Sequence, residues 1–93
     1  MFIQGQDKDI IFPLTDKGLL KGTVYTKDIY VNEKYYGANV YGKTLFQKHL
    51  LGTYEEGEAE QVIAEIYALL KAGAATYSMP VPAMDLEDLG VSL

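Results

Sequence analysis

The chain has no cysteine, no tryptophan and no arginine, and His49 is the only histidine among its 93 residues. Without cysteine there is neither a disulfide nor a thiolate zinc site, two supports on which small domains often rely. A lone histidine leaves no set of nitrogen ligands, so a transition-metal centre within one chain is not expected. The missing arginine removes the forked guanidinium donors that grip phosphates and guanine edges. With a net charge of −5, that argues against a nucleic-acid partner. No apolar run approaches the ~20 residues a membrane helix needs. The start, Met1-Phe2-Ile3-Gln4-Gly5-Gln6-Asp7, has no basic n-region and no long apolar stretch, so no secretory signal is expected there. Cytoplasmic residence, no membrane partner and no cofactor are the expectations that follow.

Hydrophobic residues make up 48% of the chain, enough for a core. Ordering about 100 residues costs on the order of 100–200 kcal/mol of conformational entropy, so the surplus stability of one small domain is thin. A homo-oligomer is the natural supplement when disulfides and metals are absent. All eight basic residues are lysines, and they are unevenly placed. Residues 1–54 carry seven lysines against five acids, while residues 55–93 carry Lys71 alone against eight. A solvated acidic face explains the second half most simply; mutual attraction of the halves, within a chain or between subunits, is the sharper reading.

The strongest periodic signal predicts a helix over 57–72. Ala59, Val62, Ile63, Ile66, Leu69 and Leu70 recur at helical spacing, with Glu58, Glu60, Gln61, Glu65 and Lys71 on the other side. Thr53 with Glu56 has capping-box spacing, and Gly73 stands where a left-handed residue ends a helix. Upstream, β-branched and aromatic residues are broken by turn residues every few positions, which predicts strands over 2–4, 9–12, 19–26 (extending to 31), 35–41 and 44–51. Residues 15–18 and 32–34 read as turns. Gly42-Lys43 reads as a two-residue type II′ hairpin, pairing Tyr41 with Thr44, Val40 with Leu45 and Tyr36 with His49. Residues 76–79 form a candidate edge strand stopped by Pro80 and Pro82. The expected fold is α+β: a four- or five-stranded, mostly antiparallel sheet with one amphipathic helix on one face. It occupies residues 1–82 as a single domain. Residues 83–93 form an acidic tail, loose or docked on a partner subunit.

Gly37-Ala38-Asn39-Val40-Tyr41-Gly42-Lys43-Thr44 satisfies the phosphate-loop pattern G-x-x-x-x-G-K-T. The chemistry needs a buried parallel strand before the loop and a helix beginning at the Lys-Thr, and Val40-Tyr41 suits a strand better; a hairpin turn is the preferred reading. His49 beside a tyrosine reads as a structural hydrogen-bonding group rather than a general base, since no orienting acid is evident. Asp7 and Asp9, and Asp85, Glu87 and Asp88, lack the spacing of a calcium loop and read as solvated acids. Eight tyrosines are many for 93 residues. Tyr25, Tyr30, Tyr35, Tyr36 and Tyr41 fall in the strand region, either as sheet packing or as a protein-contact surface, because tyrosine is a rigid amphipathic anchor. Base stacking is the weaker option without neighbouring arginines.

Leu51-Gly52-Thr53-Tyr54, then Ala59, Val62 and Ile66, then Tyr77-Ser78-Met79-Pro80, preceded by Gln6-Asp7, resembles a pattern in a group of small Gram-positive bacterial proteins. These are often encoded in prophages or mobile elements. They share L-G-x-Y, a helix and Y-x-M-P, and they have no established activity. The resemblance implies a fold and a genetic neighbourhood, with no catalytic residues to carry over.

The expected role is therefore a non-enzymatic interaction or accessory protein, homodimeric, contacting itself or another protein through the strand-region tyrosines. An alternative is a small-ligand binder or minor enzyme with a pocket between helix and sheet, lined by Lys48, His49, Tyr54 and Tyr67. A further alternative is an acidic mimic of nucleic acid, motivated by the charge of residues 55–93.

Overall fold

The apolar stripe over 59–70 does coil into one helix. In the computed structural model, which describes residues 1–18 and 21–81, it is α1 (Glu56–Lys71). Ala59, Val62 and Ile66 are buried, and Ile63, Leu69 and Leu70 pack half-buried against the same core. Burying Val62 and Ile66 contributes ~1.5–3 kcal/mol each before entropy is counted. The helix ends as its glycine predicts. Gly73 has φ +86°, and the N–H groups of Gly73 and Ala74 return to the carbonyls of Leu70 and Leu69 at 3.1 and 3.0 Å. The expected capping box is not made: the N-cap is Glu55, without a side-chain bond. Thr53 belongs to a strand that runs to Tyr54, and its hydroxyl donates to Asn39 instead.

The strands are β1 (Phe2–Gln4), β2 (Ile11–Pro13), β3 (Thr23–Val31), β4 (Lys34–Lys43), β5 (Lys48–Tyr54) and β6 (Thr76–Ser78). The architecture is α+β, but the strands divide into two three-stranded sheets rather than one of four or five. β3-β4-β5 is an antiparallel meander. The shorter sheet runs β2-β1-β6, with β1 antiparallel to β2 and parallel to β6. The split occurs after Gln4, where Gly5-Gln6 leaves the short sheet for β5 and the Gln6 N–H donates to the Leu51 carbonyl at 2.8 Å. The Gln6 side chain extends that junction. It accepts from the Thr53 N–H at 2.8 Å and donates to the carbonyls of Thr53 and Pro80 at 3.3 and 3.1 Å. A side-chain amide thus occupies the free edge of β5 as a neighbouring strand would.

Asn32 and Glu33 turn the β3–β4 hairpin with φ of +53° and +67°, a type I′ turn. The next hairpin departs from expectation. β4 runs straight through Gly42-Lys43, and the reversal lies at 44–47. There Thr44 is buried, its backbone N–H donates to the Gln47 carbonyl at 2.8 Å, and its hydroxyl oxygen accepts from the N–H groups of Phe46 and Gln47. The pairs formed are Tyr41 with Leu50, Val40 with Gly52 and Gly42 with His49, in place of those expected. Gly42 is needed for space: a Cβ there would stand 2.8 Å from carbons of the buried Phe12 ring. Gly37 has φ +145°, and a Cβ would meet the Tyr54 carbonyl oxygen at 2.6 Å. Both glycines of the G-x-x-x-x-G-K-T match therefore serve sheet packing, and its Thr44 closes a hairpin rather than starting a helix.

One core joins the layers. Val24, Ala38, Val40, Leu51 and Tyr54 from the long sheet meet Ile3, Phe12 and Tyr77 from the short one, and α1 closes the side with Ala59, Val62 and Ile66. Sequence-based strand starts at 9 and 44 move to Ile11 and Lys48. The strand expected from 19 begins at Thr23, residues 19–20 lying outside the described part. The tail 83–93, with Asp85, Glu87 and Asp88, also lies outside the described residues.

Candidate functional site

Period-two alternation gives the β3-β4-β5 sheet two unlike faces. Val24, Val40, Gly42 and Tyr54 point toward α1 and the core. Their neighbours Tyr25, Lys27, Asn39, Tyr41, Lys43, Lys48, Leu50 and Thr53 share the opposite face, which α1 does not cover. Asp28, the only acid within these three strands, alternates to the helix side. Among the described residues the strands of the open face therefore bring three lysines and no carboxylate to it, with Asp7 standing beyond its β5 margin.

Its side chains are held in place. Tyr25 and Tyr41, paired across the strands, stack with ring centroids 5.6 Å apart and 25° between planes. Lys48 lies over the Tyr41 ring, 4.8 Å from the centroid. The Thr53 hydroxyl donates to Asn39 Oδ1 at 2.7 Å, and Asn39 Nδ2 donates to the Tyr41 hydroxyl at 3.2 Å. At the Lys43–Lys48 end the 44–47 loop presents Leu45 and Phe46, 72% and 73% exposed. At the β5 margin a cleft of about 220 Å³ lies between Gln6, Asp7 and Ile10 on one side and Leu50, Gly52 and Thr53 on the other. Rigid aromatics, an exposed apolar pair and unopposed cations suit contact with an acidic, partly apolar surface.

The five tyrosines offered as one surface are divided. Tyr25 and Tyr41 lie on the open face. Tyr30 and Tyr35 pack edge to face at the hairpin end, ring centroids 5.6 Å apart. Tyr35 and the exposed Tyr36 line a shallow cleft with Glu55 and Gly57 beside the start of α1. The pocket candidates are also dispersed. Lys48 is on the open face, and His49 is on the other, its ring edge-on to Phe12 at 6.4 Å. Tyr54 is buried and donates to the Pro80 carbonyl; burial raises its pKa to about 12, the Gln6 hydrogen bond lowering it and Glu58 raising it. Tyr67 on α1 accepts from the Val24 N–H at 2.9 Å and donates to the Val24 carbonyl at 3.3 Å, covering the outer edge of β3. A cleft of about 290 Å³ between helix and sheet is lined by Val24, Tyr25, Thr26, Glu60 and Ile63 and by none of these four. Tyr77 is also buried, beside the Glu65 carboxylate but outside hydrogen-bonding geometry, and burial followed by that charge raises its pKa.

Leu45 and Phe46 were not candidates from the sequence, where 44–51 read as continuous strand. Thr44 followed by two apolar residues and Gln47 is a hydroxyl-turn pattern that marks the loop. Among the described residues no cluster of three or more His, Cys, Asp or Glu is placed to hold a metal ion, and no helix is long and apolar enough to cross a membrane. No family model, curated protein or solved structure matches the chain.

Proposed function

We propose that this is a non-enzymatic interaction protein that docks an acidic, partly apolar protein segment on the open face of its β3-β4-β5 sheet. The observation that carries the reading is the preorganised Tyr25–Tyr41–Lys48 cluster on a face that nothing in the described fold requires to be aromatic or cationic. Stacked and hydrogen-bonded rings lose little freedom on binding, so their contact area converts to affinity efficiently. Leu45 and Phe46 extend the surface beyond the sheet end. A two-fold dimer through this face is disfavoured, because isologous contact would set three lysines against the same three. Self-association would use another surface, such as the exposed Phe2 and Ile11 on the outer side of the short sheet.

The test is capture from native extract with the full chain as bait, compared with a Lys27→Glu/Lys43→Glu/Lys48→Glu variant and a Phe2→Ser/Ile11→Ser variant. A partner retained by the parent and the second variant but lost by the first supports the reading. Retention by all three, or capture of nothing together with monomeric light scattering, would remove it.

A further inference from the structure

We propose that the outer edge of β3, beside α1, takes up an extended basic segment of another protein as an added strand. This surface is distinct from the open sheet face, and the proposal does not depend on that face being a docking site.

The backbone geometry comes first. In an antiparallel pair a residue turns its N–H and C=O to the same side, and the next residue turns them to the other. Val24 turns both away from β4, because both meet the Tyr67 hydroxyl, at 2.9 and 3.3 Å. The N–H of Gly22, in phase with it, donates to the Thr15 carbonyl at 2.9 Å. Thr26 and Asp28 continue that phase, ahead of the irregularity at Ile29-Tyr30. β3 is the edge of its sheet, and among the described residues no hydrogen bond reaches the outward backbone groups of Thr26 and Asp28. The Tyr67 hydroxyl does at Val24 what a neighbouring strand would do, and stops there. The next two pairs of groups stand ~7 Å apart, the two-residue repeat that the backbone of an extended segment matches.

The space and the charges define the occupant. The cleft of about 290 Å³ between helix and sheet lies against this edge, lined by Val24 and Thr26 on one side and Glu60 and Ile63 on the other. In an added antiparallel strand, the residues opposite Thr26 and Asp28 point to the helix side as those two do. They meet Asp28 and Glu60, both exposed and neither in an ion pair among the described residues. A lysine or arginine at each position, with one apolar or acidic residue between them opposite Lys27, answers both the backbone and the charge. A second copy does not fit. Two-fold pairing of β3 with itself about Lys27 or Asp28 sets like charges face to face, and pairing about Thr26 brings Asp28 of one copy against the Val24 that Tyr67 holds.

The test is amide exchange of the full chain followed by NMR, with and without the capped peptide Thr-Val-Lys-Val-Lys-Val-Thr. In the free chain the N–H groups of Thr26 and Asp28 should exchange several-fold faster than those of Tyr25 and Lys27, which face β4. The peptide should slow the first pair selectively. Thr26→Pro removes one edge donor at a position where proline is tolerated, and should weaken the peptide several-fold with the fold retained. Asp28→Lys/Glu60→Lys should weaken it likewise and transfer preference to Thr-Val-Glu-Val-Glu-Val-Thr. Protection of Thr26 and Asp28 in the free chain overturns the proposal, because the chain itself or a second copy then occupies the edge. No slowing of these amides by the lysine peptide overturns it, and so does equal binding of the glutamate peptide by the parent. Should Thr26→Pro fail to fold, the charge-reversal variant and the two peptides decide alone.

Discussion

The two faces of the β3-β4-β5 sheet are built from alternate residues of the same strands, yet they answer to different demands. On the core side, side-chain volume decides: Ala38, Val40 and Gly42 are small because α1 and Phe12 lie on them. On the open side no core packs over Tyr41 and Lys48, and what holds them is contact within the face, the Tyr25–Tyr41 stack and the Lys48 ammonium on the Tyr41 ring. Packing explains the buried part of the first face. The second carries the docking surface proposed above, held by contacts among its own side chains. Substitutions on the core side should therefore act on stability, and those on the open side on recognition.

The largest effect belongs to Ile66→Asp. Ile66 is 0% exposed between helix and sheet, and an unpaired carboxylate there loses both hydration and packing. A loss above about 4 kcal/mol, enough to unfold the domain, is the expected outcome in a thermal melt followed by circular dichroism. A melt within a few degrees of the parent would contradict the core side of the comparison. Gly42→Val comes next. Its side chain would be driven into the Phe12 ring, and overpacking should cost ~1–3 kcal/mol. Chemical denaturation measures it, and a neutral result would mean that Phe12 can move aside.

Alkaline pH probes the same core. An unfolded tyrosine ionises near 10.0 and Tyr54 in the fold near 12, so the unfolded chain releases its proton first as pH rises. The contribution is intact below pH 10.0 and is lost progressively toward 12; Tyr77 acts in the same direction. Denaturant midpoints across this window should fall less steeply for Tyr54→Phe than for the parent, although the variant starts lower because the bond to Pro80 is gone. Parallel slopes would place Tyr54 in solvent.

Periodicity carries far in this sequence and contact geometry does not. The helix was legible because six apolar residues repeat with one period and Gly73 marks the stop. The β3–β4 turn was legible because Asn32 favours positive φ. Gly42-Lys43 misled because glycine has two uses, turning and yielding space, and only the position of Phe12 shows which applies here. The division into two sheets depends on Gln6, whose amide replaces a strand at β5, a role that local pattern cannot reveal. The open face was half legible: its tyrosines stand out in composition, but their separation from Tyr30 and Tyr35 follows from register.

Register is itself open to a smaller test. A slip of one residue in β3–β4 would exchange the two faces, and the Asn32-Glu33 turn helps to prevent it. Glu33 holds φ +67°, where a side chain costs roughly 1–2 kcal/mol. Glu33→Gly relieves that strain against a greater entropic loss on folding, so a net gain of about 0.5–1 kcal/mol is expected, with the melt raised and the fold unchanged. A lowered melt would show that Glu33 makes a contact worth more than its strain.

The smallest effect on stability, and the sharpest comparison, comes from Lys27→Glu/Lys43→Glu/Lys48→Glu. All three side chains are exposed, no carboxylate of the described strands shares their face, and surface charge changes of this kind usually stay within about 0.5 kcal/mol each. Loss of Lys48 from the Tyr41 ring costs a little, and relief of repulsion among three like charges returns a little. A near-parental melt together with abolished partner capture would show that this face is selected for recognition. A large drop in melting temperature would instead make these lysines part of what holds the sheet, and the distinction between its two faces would be lost.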